Sequence, residues 1–462
     1  MIKQALLLLF AFAITARAQT FDGTWAGVAD ARPDSGLPVG VRLTVTQRGD
    51  SARIAFTLPE SRLVNLRIPS PYSDSTYATI RNGELRLEFT PDIGLSFISR
   101  LGPASEERIA FTGRLEGSDR LVGTIRITSY GSPIVLRRVS ADDGALRISF
   151  MNPYDSLRLG GSLIVPPGAS RPPVVVFVTG SDPDDRDAWR YEATVLARAG
   201  VASLLYDKRG VGESSGASHD LASWDDLAGD LTGAVDWLAS HPDLVDTARI
   251  GVIGQSQGTW IIAKVAARDP RVKFMVSIAG SGISAAAQET YRTGALMRAA
   301  GFSDREIEAA VDFQRRKFEV ARTGLGWEAL DSTMQRLRAD SVRWFLGYGT
   351  GAAARSLAIL RLYGVLQFNY DPTRDLERIT IPTLVILGEN DLVFPPARTI
   401  EAMERSLARA GNRCVTSRII PQAGHGLTVV QTYRSRPFRR VISEAFLALL
   451  TDWVPEATTC PR

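Results

Sequence analysis

Gly254-Gln255-Ser256-Gln257-Gly258 is the stretch that decides the fold of this 462-residue chain. It follows a short apolar run, Ile250–Ile253, and precedes a helix-like run free of Pro and Gly, Thr259–Ala267. A serine between two glycines at a strand-to-helix junction indicates a tight turn that raises the serine hydroxyl above the end of a sheet. We therefore predict that the stretch is a nucleophile elbow and that Ser256 is the nucleophile.

The residues around Ser256 have roles that follow from this turn. Gly254 and Gly258 are predicted to be structural requirements, because a side chain at either position would collide with the neighbouring backbone. Gln257 is predicted to be an oxyanion-hole residue, because its backbone N–H lies at a helix N-terminus where negative charge is favoured. The pentapeptide alone is a weak signal, and its place between a strand and a helix gives it weight.

A nucleophilic serine needs a base, and the chain has three histidines from which to choose. His219 and His241 precede the serine and are interpreted as surface residues. His425 lies in Ala423-Gly424-His425-Gly426, after the last predicted strand and before a terminal helix expected from about Arg439. Because the order serine, acid, histidine is typical of a strand–elbow–helix hydrolase, His425 is predicted to be the base.

The acid that orients the base is expected in the loop after the preceding strand. That loop reads Gly388-Glu389-Asn390-Asp391-Leu392-Val393-Phe394-Pro395. The Gly-x-x-Asp-x-x-x-Pro spacing in this loop favours Asp391, which would face the histidine, hold the imidazole tautomer and stabilise the imidazolium. Glu389 is the alternative.

A second oxyanion donor is expected in the loop Thr179-Gly180-Ser181-Asp182, which follows the apolar run Val174–Val178. Ser181 is the predicted donor, with Gly180 as the alternative. The acids that follow are interpreted as solvated loop residues and not as metal ligands: Asp182, Asp184, Asp185 and Asp187. A packed loop beside the active site is predicted at residues 207–214, whose glycines are misplaced for a dinucleotide loop. The sequence predicts no metal and no cofactor.

Beyond residue 145 the pattern alternates between apolar strands and helical stretches, which indicates a mostly parallel sheet with helices on both faces. The predicted strands are Val174–Val178, Ala202–Tyr206, Ile250–Ile253, Phe274–Ile278, Thr383–Leu387 and Val415–Ile420. We assign residues 145–456 to this domain. Residues 284–371 contain no strand pattern and are predicted to form a helical cap, in which a capping box at Ser303–Glu306 opens a helix that ends at Gly324.

Residues 19–140 read as short alternating strands with turns at Gly49-Asp50 and Asn82-Gly83. This pattern favours a small all-β domain, either an antiparallel sandwich or a barrel, with a linker at residues 140–144. No cluster of His, Cys or carboxylates accompanies the pattern. We expect a supporting or recognition module.

The N-terminus has the features of a signal peptide over residues 1–18. Lys3 is followed by an apolar run and by the small-residue site Ala16-Arg17-Ala18, so the mature chain is expected to begin at Gln19 and to be periplasmic or extracellular. The apolar run is too short to span a bilayer, and no membrane span is predicted. The net charge is +4, with acids interleaved among the basic residues, so nucleic acid is not an expected partner.

The two cysteines, Cys414 and Cys460, have two interpretations. In an oxidising compartment they form a bridge that ties the C-terminal tail to the sheet; otherwise both are free thiols.

Taken together, these motifs resemble the α/β-hydrolase superfamily, and in particular exported bacterial serine esterases with an N-terminal β domain. The resemblance covers roughly residues 146–454 and rests on the Gly180–Asp187 loop, the run Tyr206–Gly212, the Ser256 elbow, Asp391 and His425. It implies an α/β hydrolase with a helical cap over an acyl pocket. Thr179 departs from the resemblance, because many members carry His there.

The function that these residues predict is hydrolysis of a small-molecule carboxylic ester through an acyl-enzyme intermediate. Cap aromatics are candidates for lining the acyl pocket, with helix packing as the alternative: Trp327, Trp344, Phe345, Tyr348 and Phe368. A serine peptidase of the aminopeptidase or prolyl-oligopeptidase type is the second function, although about 120 residues cannot build the propeller usual in the latter. A non-catalytic binding protein on the same fold is the third. The sequence does not predict the oligomeric state.

Overall fold

The computed structural model describes residues 20–29, 39–61, 63–68, 77–89, 108–127, 130–140, 144–280, 282–347, 356–433 and 436–457. The predicted signal peptide, Tyr348 and Cys460 lie outside the described residues. No helix in these ranges combines the length and the apolar character needed to cross a bilayer.

The described part of the chain begins with nine antiparallel strands. Eight of them close into a barrel in the order β2-β1-β9-β8-β7-β6-β5-β3, with β3 pairing back to β2, and β4 adds to β3 outside the ring. The strands are β1 (Gly23–Ala29), β2 (Val39–Arg48), β3 (Ser51–Leu58), β4 (Leu63–Ile68), β5 (Tyr77–Arg81), β6 (Glu84–Phe89), β7 (Ile109–Leu115), β8 (Arg120–Ile127) and β9 (Tyr130–Val139). Of the two predicted forms, the barrel is correct.

The barrel forms because alternate side chains along each strand are apolar and point inward. On β2, for example, Val41, Leu43 and Val45 are buried while Thr44 and Thr46 are more exposed. Within this core Trp25 is fully buried, and its indole N–H donates to the Phe21 carbonyl at 2.8 Å. The barrel interior is therefore packed with side chains, as in other small closed barrels.

The second unit is built on an eight-stranded sheet of order β10-β11-β13-β12-β14-β15-β16-β17. Its strands are β10 (Leu146–Met151), β11 (Arg158–Ile164), β12 (Val174–Val178), β13 (Ala202–Tyr206), β14 (Ile250–Gln255), β15 (Val272–Ile278), β16 (Thr383–Gly388) and β17 (Val415–Ile420). From β13 to β17 all neighbours are parallel, whereas β11 runs antiparallel to both of its neighbours. All six strands predicted from apolar runs are present.

Helices cover both faces of this sheet. They are α1 (Arg190–Arg198), α2 (Trp224–Ala239), α3 (Gln257–Ala266), α4 (Ala285–Ala299), α5 (Asp304–Thr323), α6 (Trp327–Ala339), α7 (Arg343–Gly347), α8 (Leu357–Tyr363), α9 (Thr373–Leu376), α10 (Pro396–Arg409) and α11 (Glu444–Trp453). Side chains from α2, α3 and α10 pack on one face, and side chains from α1 and α11 pack on the other. Burial on both faces explains why β12 and β13 read as unbroken apolar runs.

The segment between β15 and β16 is helical, as predicted, and carries α4 to α9. The predicted capping box is present, because the side chains of Ser303 and Glu306 each bond to the other's backbone, and α5 ends at Gly324. Trp344 and Phe345 are buried in the core of this segment, where both pack on Phe313. For these two aromatics, helix packing is the correct interpretation.

The terminal helix begins at Glu444 and not near Arg439, because a hairpin of β18 (Thr428–Tyr433) and β19 (Arg436–Ile442) intervenes. Cys414 is disulfide-bonded, so the free-thiol interpretation does not hold for it.

Candidate active site

The predicted site residues meet at the carboxyl edge of the parallel strands. Gly180 follows β12, Ser256 follows β14, Asp391 follows β16 and His425 follows β17. Ligand sites in open α/β sheets lie at this edge, because the loops after parallel strands all emerge there. The fold therefore brings together residues that are up to 245 positions apart in the chain.

Ser256 lies on a strained turn. Its backbone φ is +52°, in the left-handed region that a residue with a side chain rarely adopts, and it is the N-cap of α3. The turn is fixed on both sides, since the Ser256 N–H donates to the Ile278 carbonyl at 2.9 Å and its carbonyl accepts from the Thr259 hydroxyl at 2.6 Å. Strain of this kind, over-determined by its surroundings, is typical of a nucleophile elbow.

Close backbone contacts explain the two glycines that flank this serine. A Cβ on Gly258 would lie 2.3 Å from the Val178 carbonyl oxygen, and a Cβ on Gly254 would lie 2.5 Å from the Gly258 carbonyl oxygen. Both contacts are with backbone atoms, which do not move aside without shifting a strand or a helix. The structure thus gives the steric reason for both residues that the sequence predicted.

A chain of two hydrogen bonds joins Ser256, His425 and Asp391. His425 Nε2 lies 3.0 Å from Ser256 Oγ, and His425 Nδ1 lies 2.9 Å from Asp391 Oδ2. A carboxylate at Nδ1 selects the tautomer that carries its proton there and leaves Nε2 free to accept one. The Phe394 ring lies parallel to the imidazole, with 5.9 Å between the ring centroids, which limits rotation of the histidine.

Asp391 is held more firmly than Glu389, the alternative acid. The Asp391 side chain is fully buried, and its Oδ1 accepts from the backbone N–H groups of Val393 and Phe394 at 2.7 and 2.9 Å. Glu389 is exposed and instead accepts from the Gln422 N–H at 2.8 Å. Of the two candidate acids, only Asp391 therefore contacts the imidazole of His425.

Tyr291 on α4 adds a contact that the sequence did not reveal. Its hydroxyl donates to the Asp391 carbonyl at 3.2 Å. Burial, together with the nearby Asp391 charge, raises the pKa of the Tyr291 hydroxyl, so that it keeps its proton and stays a donor. The first helix of the cap is thereby tied to the loop that carries the acid.

The predicted oxyanion donors lie on two sides of Ser256. A Cβ built on Gly180 would lie 3.4 Å from the Ser256 Cβ, so the loop at residues 180–182 passes directly beside the serine. Gln257 is the first residue of α3, a position whose N–H has no partner within the helix. Within the described ranges, neither the Ser181 N–H nor the Gln257 N–H donates to another group of the protein.

The sequence predicts His219 to be a surface residue, and this prediction is wrong. Its side chain is 4% exposed, and its Nε2 lies 2.8 Å from the Ser181 carbonyl oxygen. Burial lowers the pKa of His219 and keeps the ring neutral, with Nε2 as the donor. A polar loop surrounds His219 in sequence, which predicts exposure, whereas tertiary packing places its ring behind residues 180–182, the predicted oxyanion loop. His241 is half-buried and stacks on Trp237.

The loop after β13 is packed beside the site, as predicted, and it carries buried charged residues whose partners lie elsewhere in the chain. Asp207 accepts from two of the three side-chain nitrogens of Arg186, Nε at 3.0 Å and Nη2 at 2.6 Å, and from the Arg186 backbone N–H at 2.8 Å. Arg186 follows the oxyanion loop by four residues. Charged residues directly after a buried strand were the available signal, since such groups must find partners.

Gln367 of the cap contacts the side of the site that carries Gln257. Gln367, in a π-helical turn at Gly364–Phe368, accepts from the Gln257 side-chain amide at 3.3 Å. Its own amide lies 3.4 Å from the Ala222 carbonyl. Residues of the cap therefore border the site on both sides, at Gln367 and at Tyr291.

An eight-stranded sheet with its second strand antiparallel, helices on both faces and a helical insert before β16 defines the class of α/β hydrolases. The comparison with known families agrees: the model of the alpha/beta hydrolase family matches residues 175–444, more than half of the chain. The chain belongs to this family, which makes it a hydrolase. The antiparallel barrel precedes the matched region.

Individual relatives are distant. An uncharacterised 31.7 kDa protein of Escherichia coli is 25% identical over 207 residues, which are 44% of this chain and 67% of that protein. A thiohydrolase of Arthrinium phaeospermum is 27% identical over 136 residues, 29% of this chain and 39% of that protein. The solved structure of a Pyrococcus furiosus esterase is 14% identical, with a TM-score of 0.43 and coverage of 68% of this chain and 90% of that one.

The Arg186–Asp207 pair yields a prediction about stability. Replacing Arg186 with Met is expected to lower the free energy of unfolding by about 3–5 kcal/mol, because it leaves the buried Asp207 carboxylate without its charged partner. Urea denaturation of the purified variant measures this loss. The matched control is Arg315→Met, which removes an exposed pair with Asp312 and is expected to cost about 0–1 kcal/mol. Equal losses of unfolding free energy in the two variants would contradict the stabilising role of the buried Arg186–Asp207 pair.

Proposed function

We propose that this hydrolase cleaves carboxylic esters through an acyl-enzyme intermediate, with Ser256 as the nucleophile. The observation that carries the proposal is the hydrogen-bond chain from Ser256 Oγ through His425 to the buried Asp391. His425 takes the hydroxyl proton as Ser256 Oγ bonds to the ester carbonyl carbon, and Asp391 stabilises the resulting imidazolium.

The second half of the reaction follows from the same geometry. The tetrahedral oxyanion accepts from the Gln257 and Ser181 N–H groups, or from that of Gly180. The C–O bond to the alcohol then breaks, and the alcohol leaves with the proton returned by His425. Water, which gives a proton to His425, attacks the acyl-enzyme and releases the carboxylic acid and free Ser256.

Ester cleavage is favoured over peptide cleavage by the N-terminal unit. The prolyl-oligopeptidase type couples a similar catalytic domain to a propeller of several four-stranded blades. Here eight of the described strands before residue 140 form a closed barrel with side chains filling its interior. An aminopeptidase without a propeller remains the second candidate, because the same residues would perform amide cleavage.

A substrate panel tests the proposal. The purified protein is expected to hydrolyse short p-nitrophenyl acyl esters and to leave aminoacyl p-nitroanilides intact, with release of nitrophenol or nitroaniline followed by absorbance. Ser256→Ala is expected to reduce ester turnover by at least about 10⁴-fold, because the other groups cannot replace the nucleophile. Fluorophosphonate labelling located by mass spectrometry checks the same residue. Turnover that persists in Ser256→Ala would refute the nucleophile assignment, and turnover of anilides alone would favour the peptidase.

A pair of isosteric variants distinguishes the two candidate acids. Asp391→Asn is expected to lower kcat by about 10⁴-fold, because an amide at this position favours the wrong imidazole tautomer. Glu389→Gln, two residues away, is expected to keep kcat within about threefold, because Glu389 contacts backbone and not His425. Steady-state kinetics on the preferred ester measure both values. The reverse ranking would assign the acid to Glu389.

We also propose that the chain is exported and cleaved after Ala18. Support comes from the signal-like N-terminus and from the bonded state of Cys414, because disulfides persist in oxidising compartments. After expression in a bacterial host, intact-mass analysis of the periplasmic and extracellular fractions is expected to find a chain that begins at Gln19. An uncleaved chain confined to the cytoplasm would contradict export.

A further inference from the structure

Lys208 is a buried cation directly behind the oxyanion loop. It is the second residue after β13, and it is 5% exposed. Its Nζ donates to the Gly180 carbonyl, to the Asp182 carbonyl at 3.2 Å and to the Gln257 side-chain oxygen at 3.2 Å. The three protons of an ammonium group are thus matched by three acceptors. Neither the Ser256–His425–Asp391 chain nor the proposed reaction steps use this residue.

The contact with Gly180 has a geometric consequence for Ser181. In a trans peptide the C=O of one residue and the N–H of the next point in opposite directions. Because Lys208 holds the Gly180 carbonyl on the side away from solvent, the Ser181 N–H of the same peptide is turned to the opposite side. If this peptide flipped, a carbonyl oxygen would replace the N–H and repel a developing oxyanion.

The neighbouring peptide is held in a similar manner. His219 Nε2 lies 2.8 Å from the Ser181 carbonyl oxygen, and Lys208 also bonds the Asp182 carbonyl. All three carbonyls of residues 180–182 are therefore held from behind by two buried side chains. The second donor is tied to the same point, because Lys208 bonds the side chain of Gln257, whose backbone N–H is the other predicted oxyanion donor.

Burial of Lys208 is costly, which argues against a passive role. Desolvation lowers the pKa of its ammonium group to about 8, although the charges of Asp184, Asp182, Asp220 and Asp230 act to raise it. Within the described ranges Lys208 forms no ion pair with a carboxylate. A buried cation bonded to carbonyl oxygens, without a carboxylate partner, is stabilised less well than a paired one. Such groups are found preferentially at functional sites.

We infer that Lys208 is a positioning residue that sets the orientation of the Gly180–Ser181 peptide and joins the two halves of the oxyanion hole. Lys208 does not touch the substrate in this arrangement, and it acts through the Ser181 and Gln257 N–H groups. The inference rests on the ester hydrolysis proposed above. Loss of the Lys208 ammonium group is therefore expected to weaken interactions that are made only in the transition state.

The test is Lys208→Met, which keeps the aliphatic stem and removes the three donors. The variant is expected to lose about 10- to 100-fold in kcat with KM changed less than about threefold, because an oxyanion donor acts on the transition state and not on the bound ester. The rate of fluorophosphonate labelling at Ser256 is expected to fall by a similar factor, since that reaction also develops charge on an oxygen beside the serine. The kcat values are divided by the number of serines that fluorophosphonate labels when the reaction is carried to completion, so that unfolded protein does not contribute.

Two further variants separate positioning from general stability. Lys264→Met removes another buried lysine, on α3, whose Nζ pairs with Asp225 at 2.9 Å and contacts nothing in residues 180–182, and it is expected to keep kcat. Lys208→Gln keeps an amide group with two N–H donors and is expected to lose less kcat than Lys208→Met, which provides a folded comparison if the Met variant unfolds. Thermal denaturation of all variants records their stability.

The outcomes are distinct for the two proposals. A Lys208→Met variant with kcat per labelled serine within about twofold of the unchanged protein, or with a change in KM alone, would overturn the positioning role. Equal losses of kcat in Lys208→Met and Lys264→Met would also overturn it, because a general effect of losing a buried lysine would then suffice. Ester turnover that survives Ser256→Ala would instead refute the proposed function itself.

Discussion

The strained backbone of Ser256 is the constraint on which the site depends. A residue with a side chain at φ +52° persists only when its neighbours leave it no alternative. Here the Ile278 carbonyl, the Thr259 hydroxyl and the close passage of Gly258 past Val178 together fix the turn. These contacts come from β12, β15 and α3, so the position of the serine hydroxyl depends on how the centre of the sheet packs.

Around that turn, buried charged and polar side chains hold the loops of the site. One of them is Asp391, which holds the imidazole of His425 and is itself held by two backbone N–H groups. Behind the oxyanion loop, Lys208 and His219 hold three successive carbonyls, and the Arg186–Asp207 pair fixes the chain four residues beyond that loop. A loop that is held in this way does not have to rearrange as charge develops on a bound group. Backbone donors fixed in advance favour a transition state that carries an oxyanion.

Much of the fold could be predicted from the sequence, and the reasons are physical. The six parallel strands were recognisable because burial on both faces demands unbroken apolar runs, and the helix at Asp304–Thr323 because its capping box is a local pattern. The β domain was recognisable from its period of two, but the choice between sandwich and barrel depends on long-range pairings, of β1 with β9 and of β3 with β5, which complete the ring. The hairpin at residues 428–442 was missed, because its pattern is ambiguous without knowledge of its neighbours.

The sequence by itself determined the serine and its two glycines, because steric crowding in a tight turn acts between residues close in the chain. It also placed Asp391 and His425 at the ends of strands, where the topology then brings them to Ser256. Only the tertiary structure decided the roles of Lys208, Arg186 and His219, because a polar residue looks solvated in sequence until packing removes the water around it. Their partners are backbone carbonyls and a carboxylate from other loops, and such contacts have no local signature.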